Sequence, residues 1–231
     1  MDEQPFIAEE RTSDSPFVER VWRSHSERGG LFTSTAAIHS EIVLTRLRGE
    51  TYLTVRGPET RPTIADCPPE ADFFGVVFKL GTFMPQLLPE GLLDRRDVTL
   101  RAAGKHSFWL EGSVWQYPDF ENAEVFVDRL VRENLLVRDE AVDAVMHGRQ
   151  PDFSERTVRR RFLRATGLTP GSIRQIKRAR RALSLLQAGK PVLDTVHEAG
   201  YFDQLHLTRA LKRFIGWTPA EIVQKSPHLS I

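Results

Sequence analysis

The sequence predicts an α+β protein in two parts, an antiparallel β-rich first portion followed by an all-helical remainder, and three observations carry this. A phrase near the C-terminus occurs twice, as Phe162-Leu-Arg-Ala-Thr-Gly167-Leu-Thr169-Pro170 and as Leu211-Lys-Arg-Phe-Ile-Gly216-Trp-Thr218-Pro219, at an offset of 49 residues. The same offset pairs Arg160 with Arg209, Val158 with Leu207, Ser154 with Asp203 and Phe153 with Phe202, so one small helical unit is duplicated. Second, the apolar pattern changes near residue 121 from short runs between turn residues to recurrence at helical spacing. Third, the net charge of +1 hides an asymmetry: from Asp152 onward 15 Lys and Arg face 6 Asp and Glu, a net charge of +9, which leaves the first 151 residues at −8. The basic portion suits a polyanion; the acidic portion does not lie along the same polyanion.

Over 1–120, after a polar lead, strands are expected at 17–22, 35–38, 42–47, 52–55, 73–80 and 107–110. Gly49, Gly57-Pro58, Pro68-Pro69, Gly81 and Gly104 separate them, the rhythm of a small antiparallel sandwich or barrel. Residues 85–93 read as a loop with one helical turn. Val125, Phe126, Arg129, Leu130 and Glu133 then recur at helical spacing, which predicts a connecting helix within 121–138, with Asn134 as its stop.

The remainder, 139–231, reads as helices with legible ends. Asp139 caps a helix through Ala141, Val142, Val145 and Met146, broken by Gly148 to Pro151. Ser154 caps 155–165, whose apolar face is Val158, Phe162 and Ala165. Thr169-Pro170 starts a longer helix to 188, with Ile173, Ile176, Ala179, Ala182, Leu183 and Leu186 on its inner side, because proline at the first helical position needs no amide donor. Gly189 ends it. A helix over 192–199, a turn at Gly200-Tyr201-Phe202 and a helix capped by Asp203 follow, and Thr218-Pro219-Ala220-Glu221 has the spacing of a capping box.

Composition excludes several classes. At 231 residues, with 40% apolar and 27% charged residues, the chain holds enough material for two cores. It contains no run of 18 apolar residues and begins acidic and polar, so a cytoplasmic protein with no membrane partner is expected. One cysteine, Cys67, allows no internal disulfide and no thiolate cluster. His25, His39 and His106 are scattered, without His-x-His or His-x-x-x-His spacing, so neither a metal nor another cofactor is assigned. There is no Gly-x-Ser-x-Gly elbow and no phosphate-binding glycine loop, and the expectation is a protein that is not an enzyme.

Each copy of the repeat has the parts of a helix-turn-helix: a short helix, a tight turn, and a second helix with one apolar and one exposed face. In the second copy the exposed positions are Gln204, Leu205, Thr208, Arg209 and Lys212, flanked by Arg213; in the first they are Arg156, Arg159, Arg160 and Arg164, with Ser154 and Thr157 at the helix start. Arginine forks match guanine O6 and N7 and also reach phosphates, so these residues are expected to contact double-stranded DNA.

The segment 154–222 resembles the DNA-binding domain of the AraC/XylS family of bacterial transcription regulators. The resemblance rests on Arg178-x-x-Arg181-Ala182-x-x-Leu185-Leu186 and on Gly200-Tyr201-x-Asp203-x-x-His206-Leu207-x-Arg209-x-Leu211-Lys212-Arg213-x-x-Gly216-x-Thr218-Pro219. It implies two helix-turn-helix units joined by a long helix, with base-facing positions at Arg156, Arg159 and Arg160 and at Gln204, Leu205, Thr208 and Arg209. The chain departs from the family at Leu205, where a small or polar residue is usual, and at Leu207 and Leu211, where phenylalanine is usual. Leu205 suits a thymine methyl, or marks a unit that reads less sequence than the first. The turn of the first unit, Gly148-Arg-Gln-Pro151, is irregular.

The first portion resembles the variable N-terminal domain of a subset of these regulators, through Arg56-Gly57-Pro58-Glu59-Thr60, Phe74-Gly75-Val76-x-Phe78 and Phe108-Trp109-Leu110-x-Gly112-Ser113-x-Trp115. That resemblance implies a cupin-like β-fold that senses a small-molecule effector, forms a homodimer, or does both. The effector-binding residues it suggests are Trp22, His39, Phe83, Trp109 and Trp115, with His25 and His106 as further pocket-lining candidates. The function expected is a sequence-specific transcription regulator that contacts RNA polymerase if it activates. Two other readings stand beside it: a DNA-tethered enzyme or small-molecule carrier working through the β-domain, which the reactivity of Cys67 in its Cys-Pro-Pro loop would test, and an interaction module that has lost DNA binding.

Overall fold

The computed structural model describes residues 7–94, 96–149, 151–225 and 229–230. Its main sheet contains β1 (Ile7–Thr12), β2 (Val18–Ser26), β4 (Glu41–Leu47), β5 (Glu50–Arg56), β7 (Ala71–Phe78) and β9 (Val98–Leu100), in the order β1-β2-β7-β4-β5-β9 and antiparallel throughout. The polar lead is therefore a strand from Ile7. As an edge strand it needs no apolar alternation, and its charges are matched by neighbours: Glu9 pairs with Arg23, Glu10 with Arg20, and Arg11 with Glu124.

Around this sheet lie β3 (Gly30–Ser34) paired with β6 (Thr63–Cys67), and the meander β10 (Ala102–Gly104), β11 (Ser107–Leu110) and β12 (Ser113–Gln116). A short strand, β8 (Thr82–Phe83), pairs with β13 (Val137–Arg138), and β14 (Leu229–Ser230) lies parallel to β3. One face of the sheet presents Val21, Ile42, Leu44, Leu53, Val55, Phe74, Val76 and Phe78, all buried. They meet Phe108, Leu110 and Trp115 of the meander and Ala123, Phe126, Val127 and Leu130 of helix α1 (Ala123–Arg132). The second layer of the expected sandwich is thus a small meander and a helix.

The helix expected within 121–138 is consequently part of the β core and not a spacer. Trp115 meets Phe126 edge-to-face at 6.1 Å, and the Arg129 guanidinium lies 4.2 Å over the Trp115 ring. The chain then turns at Asn134, whose φ is 57°, and re-enters as β13.

Residues 35–38 are a second difference. β3 ends at Ser34, and only Ala37 forms an isolated bridge, to Glu59. Ala36 donates its amide to the Phe214 carbonyl at 2.8 Å, and Ala36 and Ile38 are buried among helices. Short apolar runs are ambiguous by periodicity, and here the partner that buries them is helical.

The helices are α2 (Glu140–Met146), α3 (Glu155–Thr166), α4 (Pro170–Gln187), α5 (Val192–Glu198), α6 (Gln204–Phe214) and α7 (Pro219–Lys225). Their ends follow the expected chemistry: Asp139 accepts from the Ala141 amide, Ser154 from Thr157, Thr169 from Ser172 and Asp203 from His206. The Thr218 amide donates to Glu221 at 2.7 Å and the Glu221 amide returns to the Thr218 hydroxyl at 3.2 Å, a complete capping box. That interaction holds the Glu221 carboxyl at about 2, well below its ordinary range.

Both units share one core, built from Phe162, Ala165 and Leu168, the inner face of α4, and Val196, Tyr201, Leu207, Leu211 and Phe214. Leu207 and Leu211 are fully buried and occupy the places where the resembled family carries phenylalanine. Ala36, Ile38 and Phe83 enter this core from the first portion, so the two halves interlock through side chains.

Candidate nucleic-acid interface

The repeat seen in the sequence is a repeat in structure. Ser154 and Asp203 both cap the second helix of their unit; Phe162 and Leu211 both fill the core; Gly167 and Gly216 both take positive φ; Thr169 and Thr218 both cap the following helix. The backbone at Gly167 passes so close to Pro89 that a Cβ would stand 2.9 Å from its carbonyl carbon, so glycine is required there twice over.

On α3, Arg156, Arg159, Arg160 and Arg164 are exposed. Thr157 is half-buried, and its hydroxyl lies 3.0 Å from that of Ser154. Arg161 of the same run turns inward, with Nε 2.9 Å and Nη2 2.8 Å from the two carboxylate oxygens of Asp139, and with its guanidinium 4.5 Å over the Phe153 ring. On α6, Gln204, Leu205, Arg209, Lys212 and Arg213 are exposed, while half-buried Thr208 returns its hydroxyl to the Gln204 carbonyl at 2.8 Å. Lys212 is engaged by Glu221 at 3.2 Å. Immediately before the Asp203 cap, Phe202 is 90% exposed, while its neighbour Tyr201 is buried between the helices.

The turns of the two units differ. In the second, Ala199 to Asp203 connects α5 to α6; in the first, the connection between Met146 and Glu155 is longer, and Gln150 within it lies outside the described residues. The lock between Asp139 and Arg161 joins the start of α2 to the middle of α3 across that longer connection.

The structure does not bring the five effector-binding candidates together. Trp22 lies on the outer face of the sheet against Gly75 and donates to Glu41 at 3.3 Å. His39 sits at the junction of the halves, donating Nδ1 to the Phe78 carbonyl at 2.7 Å, and burial lowers its pKa to about 4. Phe83 is in the helical core, Trp115 in the β core, and Trp109 is exposed on the meander. Trp22, Phe83 and Trp115 thus each pack against a different part of the protein.

A cavity of about 440 Å³ lies instead at the open end of the sheet, with an apolar floor of Leu44, Phe74 and Phe120 and a rim that includes Arg23, Arg46 and the His25–Asp72 pair. His25 was a pocket candidate; His106 is exposed on the meander and lines nothing here. Cavity-forming residues from five separate segments have no common pattern in the sequence, and alternation of Leu44 with Arg46 along β4 is a local signal for one of them. Cys67 is 5% exposed, opposite Gly30 in the β3–β6 pairing, and is not placed to act as a surface nucleophile. Among the described residues no group of three or more His, Cys, Asp and Glu side chains could hold a metal ion, and no helix is long and apolar enough to cross a membrane.

Residues 149–225 match the family model described as a helix-turn-helix domain. An uncharacterized HTH-type transcriptional regulator of Escherichia coli (strain K12), YidL, is 36% identical over 74 residues, which are 32% of this chain and 25% of that protein. The chain therefore matches about a quarter of the length of this curated relative. Among solved structures, ToxT from Vibrio cholerae O395 aligns with 95% of this chain and 97% of its own at 9% identity and a TM-score of 0.40. A second ToxT structure from Vibrio cholerae aligns with 96% and 98% at 10% identity and a TM-score of 0.38. Residues 149–225 are a helix-turn-helix domain.

Proposed function

We propose that the chain is a sequence-specific DNA-binding regulator of transcription in which α3 and α6 are the two recognition helices. The observation that carries this is the pairing, on one core, of two equivalent helices whose outward side chains have no partner among the described residues: Arg156, Arg159, Arg160 and Arg164 on the first, Gln204, Leu205 and Arg209 on the second. Each protomer lays these helices into successive major-groove segments about one turn apart, roughly 34 Å along the duplex. Because the outward residues differ, the two half-sites are unlike in sequence.

The first portion, 1–120, is the sensing and dimerising part of the same reading. The cavity at the end of the sheet, with its apolar floor and charged rim, is the place for a small-molecule effector, within the size range of ligand pockets. Homodimers and, for an activator, contact with RNA polymerase complete it.

Selection of bound fragments from a genomic library at physiological salt, followed by gel shift on the enriched sequence, tests the proposal. Enrichment of one bipartite sequence with half-sites about 10 base pairs apart supports it. Retention of no sequence above background, by a folded protein, refutes it.

A further inference from the structure

A cleft of about 210 Å³ opens between α4 and α6, on the flank of the α6 face that carries Arg209. Gln175 and Arg178 line it from α4, and His206, Arg209 and Arg213 from α6, above a floor that includes Tyr201 and Ala210. Three guanidinium groups thus share one concavity to which no acidic residue contributes. Arg178 is fixed there: its guanidinium lies 4.6 Å over the Tyr201 ring and Nη1 donates to the Gly200 carbonyl at 3.3 Å. Its Nε is buried with no hydrogen-bond partner among the described residues.

Like charges gathered around a small hollow, with a buried guanidinium nitrogen unsatisfied, make a site that is completed by an anion. The neighbouring residue shows the contrast, since Lys212 already has Glu221 as its partner. The repeat shows it as well. At the position equivalent to Ala210 the first unit carries Arg161, which is held by Asp139, so a small side chain in one copy leaves open a space that the other copy assigns to an ion pair.

We propose that this cleft seats one phosphate group, that of the DNA backbone beside the groove entered by α6. Arg178 and Arg213 are its guanidinium donors and Gln175 its amide donor, and Arg209 stands at the rim between this phosphate and the base edges. A phosphate held at two helices at once fixes how deeply and at what angle α6 enters the groove, which ties register to the α4 scaffold. The inference rests on the DNA-binding reading and adds a phosphate site to it.

The test compares the full chain with its Arg213→Gln and Gln175→Ala variants, both at exposed positions, on the selected duplex and on a scrambled one over a series of salt concentrations. The expected result for Arg213→Gln is about tenfold weaker binding to both duplexes, an unchanged ratio between them, and a salt slope reduced by about 1. Single methylphosphonate substitutions along the selected duplex should reveal one position whose neutralisation weakens the wild type and leaves Arg213→Gln unaffected. An identical salt slope and an identical methylphosphonate profile in wild type and both variants overturn the proposal.

Titration with inorganic phosphate in a thermal unfolding assay without DNA separates the sources of the group. A rise in Tm that Arg213→Gln abolishes supports phosphate recognition in the cleft; that rise with unchanged DNA salt slopes overturns the backbone assignment in favour of a free phosphate. If the wild type binds no duplex at all, the DNA-binding reading is what has failed, and this titration alone decides the cleft: no rise in Tm overturns it.

Discussion

Asp139 holds Arg161 through both carboxylate oxygens while one of them also caps α2, so a single side chain ties the first helix of the first unit to its recognition helix. The pairing strengthens retention of the Arg161 proton and fixes its guanidinium over Phe153. In a run of three consecutive arginines, Arg159 and Arg160 consequently face outward and Arg161 does not.

Breaking this lock should loosen the first unit. Asp139→Asn keeps a cap oxygen and removes the charge, and the expected loss is about 1–2 kcal/mol, reduced by the partial exposure of Arg161. Urea unfolding of Asp139→Asn, Arg161→Ala and the double variant checks it: the two losses should be less than additive, and strict additivity would show that the pair is not coupled.

Arg160→Ala and Arg209→Ala occupy equivalent places in the two units, and each should cost about 1–3 kcal/mol on the selected duplex while relaxing preference at one half-site only. Competition binding with half-site variants reads this out. Unchanged affinity and unchanged preference in both would remove them as base-reading residues.

Acid should weaken the junction between the halves. His39 is buried and its pKa is lowered to about 4 by burial, with Arg180 and Arg20 opposing its protonation and Glu19 and the Phe78 carbonyl favouring it. The folded protein therefore binds fewer protons than the unfolded chain between about pH 6.5 and pH 4. Stability is full above about pH 6.5 and falls as the pH drops through that window, by about 2–3 kcal/mol at its acid end. His39→Gln keeps a donor for the Phe78 carbonyl without a titrating group, so its unfolding free energy should be flatter across the same range; an unaltered slope would assign the acid sensitivity elsewhere.

Gly75 should tolerate no side chain. A Cβ there would lie 2.1 Å from the Trp22 ring, which crosses the outer face of β7 at that point. Gly75→Ala is expected to destabilise the protein by about 1–3 kcal/mol, and a second change, Trp22→Leu, should recover part of that loss in thermal unfolding.

The helical portion was legible because its signals are local. A capping side chain acts within three residues, a glycine stop depends on one φ, and an apolar face recurs every three to four positions, so α2 to α7 could be placed within a residue or two. The β portion was less so. Four strands of the main sheet were located by apolar runs, but β1 is charged, and β6 alternates in a ribbon whose Ile64 is 72% exposed. Such strands are held by their neighbours' hydrogen bonds, which leave little trace in composition.

The candidate site divides in the same way. That α3 and α6 present arginines outward followed from spacing; that Arg161 turns in, Lys212 is engaged and Arg178 lies half-buried against Tyr201 followed from partners elsewhere in the chain. The aromatic residues named for an effector were chosen by type, and their dispersal over two cores and a surface shows that residue type carries no address.

By itself the sequence determined the duplication, the caps and the charge asymmetry, and with them two equivalent helices bearing unlike outward faces. Only the tertiary structure decided which cations are held by partners, that Ala36, Ile38 and Phe83 belong to the helical core, and that α4 and α6 enclose a basic cleft. The reason is range: helix ends are set by contacts three or four residues apart, whereas burial and ion pairing are set by chain segments that only folding brings together.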